Sequence, residues 1–127
     1  MTFTWKTPPW LRNEDCTHMA TTLTDVNGQI TVHSESVRGD DATEALADLL
    51  MGPGGAGSTV VRPHVIAVVV RRGIDLSWMF KPPIHIKTTS QGQREIAVDA
   101  DAAEVTMFSA SDIRSLAARL HVAYRAG

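Results

Sequence analysis

Apolar residues along the chain recur with two different periods, and the places where the period changes mark out the elements. Across residues 18–37, "HMATTLTDVNGQITVHSESV", β-prone segments flank Asn27-Gly28. That dipeptide favours the positive φ angles of a two-residue turn, so the pattern predicts a β-hairpin. In "DDATEALADLLMGPG" Asp41 precedes Glu44 at capping-box spacing, Ala42, Ala45, Leu46, Leu49 and Leu50 fall on one face, and Gly52-Pro53 ends the run. This predicts a short amphipathic helix. "HVIAVVVRRG" reads as a central, buried strand, because its apolar run is far shorter than the roughly 20 residues a helix needs to cross a bilayer.

A Pro82-Pro83 break then leads into "IHIKTT" and "REIAVDA", two strands joined by the polar turn "SQGQ", and "EVTMF" makes one more short strand. The last helix has the best-specified start: Ser109 as N-cap, Asp112 at the third helical position, and Phe108 placed to staple onto Ile113. Ile113, Leu116, Ala117, Leu120 and Tyr124 form its apolar stripe. Strands dominate and two helices flank them, so the expected class is α+β, a mainly antiparallel sheet with the second helix C-terminal. Residues 52–59, "GPGGAGST", carry too little side chain to pack and predict a mobile loop.

Composition narrows the picture. At 127 residues and 43% hydrophobic, the chain has the size and apolar content for one core, so a single domain over 1–127 is expected. A formal charge of −2 gives no bulk attraction to nucleic-acid phosphates or anionic membranes. The one cysteine cannot form an intrachain disulfide, and "MTFTWKTPPW" has neither the cationic start nor the apolar run of a secretory signal. A cytoplasmic location is expected.

Each candidate chemistry meets a plainer explanation. Gly52, Gly54 and Gly57 match G-x-G-x-x-G, but here a helix precedes and a strand follows, the reverse of the dinucleotide fingerprint, and Ser58 stands where a phosphate-binding loop needs lysine. Cys16 and His18 supply one pair of soft ligands without the second close pair of a structural zinc site, so no metal is expected. Cys16 lacks a placed base, no G-x-S-x-G surrounds a serine, and the carboxylate pairs Asp40-Asp41 and Asp99/Asp101 read as a helix cap and a polar connection. No catalytic residue and no cofactor is expected, and hence no enzyme.

What remains is aromatic and basic. Trp5, Trp10 and Trp78 each join a large apolar area to one N–H, which suits a core edge or a protein interface, and Val122 lies off the main stripe of the last helix. These four are the candidate partner-binding residues. Arg71, Arg72, Arg114, Arg119 and Arg125 are the candidates for the alternative, contact with nucleic acid.

The segment "PPW" followed by an acidic-His stretch, then "ITVHSESV" and a closing "FSASDIRSLAARLHVAYRAG", resembles a family of small actinobacterial proteins, chromosomal and phage-borne, with no assigned function. Members show a C-P-x-W-C motif near the start. Here Thr7 and Leu11 stand where the resemblance would place the two cysteines around Trp10. The resemblance implies a host range and leaves function open. The expectation is therefore a small interaction or regulatory module that binds another protein, a second copy of itself included, with nucleic-acid association as the alternative and no membrane role.

Overall fold

The structure, a computed structural model, describes residues 16–51, 64–101 and 103–120. The predicted loop 52–59 lies outside them, as do Trp5, Trp10, Val122, Tyr124 and Arg125. The first hairpin pairs β1 (His18–Val26) with β2 (Gln29–Val37), Val26 opposite Gln29. Asn27 at φ 54° and Gly28 at φ 87° make the two-residue turn that fixes this register. α1 (Ala42–Met51) follows, then β3 (Val65–Arg72). A single 3₁₀ turn (Leu76–Met79) leads to the hairpin of β4 (Ile84–Thr88) and β5 (Arg94–Val98). β6 (Val105–Ser109) and α2 (Ala110–Arg119) complete the order.

All pairings are antiparallel. One sheet has four strands in the order β2-β1-β3-β6, and β4-β5 forms a second, two-stranded sheet. The class is α+β, with α2 as the C-terminal helix. No helix among the described residues is long and apolar enough to cross a membrane.

Three layers result. On one face of the four-stranded sheet, Ala20, Val68 and Val70 meet Ala45, Leu46 and Leu50 of α1 and Ile113, Leu116 and Ala117 of α2. On the other, Met19, Leu23, Ala67 and Val69 meet Trp78 and Ile84, with Ile86, Ile96 and Val98 packed around them. Both faces of β3 are thus covered, which is why its sequence is a continuous apolar run rather than an alternation. A β-bulge refines the pattern: Leu23 pairs with Ala67 but Thr24 with Val65, so Ile66 is the extra residue and Val65 turns back to the helix face.

The helix starts follow local chemistry. The Ser109 side chain accepts from Asp112 N–H while the Asp112 carboxylate accepts from Ser109 N–H, a complete capping box, and Phe108 joins the cluster that holds Ile113. At α1, Asp41 accepts from Glu44 N–H at 2.9 Å, and Glu44 reaches back to Asp40 N–H at 2.7 Å, one residue earlier than the usual box. Gly39 makes the turn into α1 feasible. A Cβ there would lie 2.5 Å from the Ala45 nitrogen and 2.8 Å from the Glu44 carbonyl carbon, so only glycine lets β2 run this close to the helix.

Candidate functional site

Two concave features carry side chains that the fold does not consume. The first lies beside β2, where Val32, His33, Ser34, Met79 and Phe80 line an open cleft of about 250 Å³. Its floor is tied down. Thr21 and Ser34 share a buried hydroxyl hydrogen bond of 2.8 Å, and Ser34 donates to the Trp78 carbonyl at 3.0 Å. Asp75 caps the 3₁₀ turn by accepting from both the backbone N–H and the hydroxyl of Ser77, which lowers its pKa.

The turn therefore holds a fixed shape, and it sorts its apolar residues. Trp78 points inward and keeps only 6% of its surface exposed, with the Arg71 guanidinium 5.9 Å from its ring centroid. Phe80, two residues on, is 88% exposed, and Ile74 and Leu76 are nearly half exposed. Of the two readings of Trp78, core edge or partner contact, its burial places it in the core of the second face. Phe80 was missed by sequence reasoning. The available signal was the run "WMFKPP": a single turn has room to bury one large side chain, and the one buried is the tryptophan.

The second feature is polar. His18, Asp40, Asp41, Ala42, Val70, Arg72, Glu104 and Thr106 line a pocket of about 220 Å³ where the ends of β1 and β3 meet the start of α1. His18 is 3% exposed. Its protonation pattern follows from its neighbour: the Thr17 hydroxyl donates to the Gly39 carbonyl at 2.7 Å and accepts from Gly39 N–H at 3.1 Å. That hydroxyl has one proton, already given, so in the 2.8 Å contact His18 Nδ1–H must be the donor. Nε2 is left with its lone pair. Burial, and next the charge of Arg72, lower the His18 pKa, against weaker opposing effects of Asp41 and Asp40.

The structure scatters the arginine set. Arg71 is paired with Asp75 at 3.0 Å and stacked on Trp78, Arg72 lines the acidic pocket, and Arg114 and Arg119 are exposed on α2. Cys16 is half-buried, and among the described residues no group of three or more His, Cys, Asp or Glu side chains is arranged to hold a metal ion. His85 faces Asp99 at 3.1 Å on the second hairpin, away from both features. Compared with models of known protein families, with curated proteins and with solved structures, the chain matches none.

Proposed function

We propose that this domain works in the cytoplasm as a protein-binding module, and that Phe80 is the anchor of its contact surface. The observation that carries this reading is the 88% exposure of Phe80 at the rim of the cleft beside β2. Covering a phenylalanine is worth about 1.5–3 kcal/mol, a gain the fold leaves unused and a partner can take up. Single exposed apolar residues are ordinary on protein surfaces. Here Ile74 and Leu76 stand exposed on the same short connection, and the capped turn beneath holds them in place, so the surface is presented at low entropic cost. The partner, a second copy of the chain or another protein, contributes an apolar side chain to the cleft.

Phe80→Ser tests this directly. Sedimentation of the wild type over a range of concentrations, and capture of cross-linked partners, are each expected to weaken at least about tenfold in the variant, the loss of roughly one buried aromatic. Arg114→Ala and Arg119→Ala should leave both measurements unchanged. Equal association by wild type and Phe80→Ser would remove the basis for this reading, and a loss confined to the arginine variants would favour nucleic acid.

A further inference from the structure

The polar pocket at His18 has a composition that neither folding nor the Phe80 surface explains. Asp40, Asp41 and Glu104 bring three carboxylates to it and Arg72 one guanidinium, yet Arg72 forms no salt bridge with any of them among the described residues. Asp41 is partly occupied as the cap of α1, and Glu44 is turned to the Asp40 backbone, which leaves the Asp40 and Glu104 carboxylates without a hydrogen bond among those residues. Also lining it is His18, a side chain that is 97% buried and whose Nε2 has no hydrogen-bond partner among the described residues. Because Thr17 holds Nδ1 as the donor, Nε2 is fixed as an acceptor.

The geometry points to this pocket as a binding site for a small free α-amino acid, its ammonium held by His18 Nε2 with the Asp40 and Glu104 carboxylates, and its carboxylate held by Arg72. A cation alone would leave Arg72 facing it with like charge. An anion alone would face three carboxylates. A ligand with both charges a few ångströms apart meets both kinds of charged group that line the pocket. The volume, about 220 Å³, lies below the usual span of roughly 300–1,000 Å³ for small-molecule sites, so glycine, alanine and serine are the fitting members of the class. The Thr106 hydroxyl on β6 is a further polar group at the wall.

The experiment follows the His18 imidazole resonances by NMR while the protein is titrated with glycine, L-alanine or L-serine, and in separate arms with methylammonium and acetate. At least one of the three amino acids should give a saturable shift, with methylammonium and acetate each weaker by about tenfold or more, since each lacks one charged contact. Arg72→Gln, an exposed position, should weaken the amino acid by about ten- to a hundredfold and bind methylammonium at least as tightly as the wild type, whereas Glu104→Gln should weaken both. Phe80→Ser should bind the amino acid as the wild type does, so this site stands or falls apart from the protein-binding reading. No saturable shift with any of the three, methylammonium or acetate binding as tightly as the amino acids, or unchanged amino-acid binding in Arg72→Gln would each overturn the assignment.

Discussion

The two faces of the four-stranded sheet are covered by different means. The helix face is lined by aliphatic side chains from α1 and α2, both of them started by side-chain caps. The hairpin face adds buried hydroxyls, one large aromatic and a rim of half-exposed residues. Thr21 and Thr22, adjacent on β1, show the contrast most sharply. Thr21 points to the hairpin face and shares a hydrogen bond with Ser34, whereas Thr22, paired with Val68 on the helix face, has a buried hydroxyl with no partner among the described residues. A face built from aliphatic packing has no place for a hydroxyl. A face closed by a short turn depends on one.

Substitutions can separate these two modes. Trp78→Ala removes the largest side chain of the hairpin face and the support for Arg71, and should lower stability by about 3–5 kcal/mol in denaturant titration. Gly39→Ala drives a Cβ into the backbone of α1 and disturbs the Thr17 contacts, so a loss of about 1–3 kcal/mol is expected by the same measurement. The paired threonines should respond with opposite signs. Thr21→Val strands the Ser34 network and should cost about 1 kcal/mol, while Thr22→Val removes an unsatisfied buried hydroxyl and should gain a similar amount.

The pH dependence has its own sign. The His18 pKa in the folded chain lies below its ordinary 6.5, so the unfolded chain takes up the proton first as pH falls. The stability contributed by the neutral imidazole is complete above 6.5 and is lost as pH drops from there through the folded value. His18→Gln should flatten the stability profile over that window. The smallest effect belongs to Phe80→Ser, within about 0.5 kcal/mol of wild type, because so exposed a ring contributes little to the fold.

Local chemistry made much of this fold readable in advance. Asn27-Gly28 gave the hairpin and its register, Ser109 with Asp112 gave the start of α2, and the run before Arg71-Arg72 gave the central strand. What stayed hidden depends on contacts between distant segments. That β4 and β5 leave the main sheet to cover its second face is decided by the packing of Ile84, Ile86 and Trp78 against β1 and β3, which no local period encodes. The candidate sites were hidden for the same reason. His18 was weighed with its sequence neighbour Cys16, whereas its pocket is assembled from Asp40, Arg72 and Glu104 on three separate stretches of chain.

The Asn27-Gly28 turn also sets an order in time. β1 and β2 meet across two residues, and hairpins of this kind close in roughly 1–10 μs. β3 lies beyond α1 in the chain, and β6 beyond the second hairpin, so their pairing waits on much larger loop closures. The local closure of the first hairpin is therefore the least costly pairing in the sheet, and the pairings of β3 and β6 carry the larger loop-closure cost.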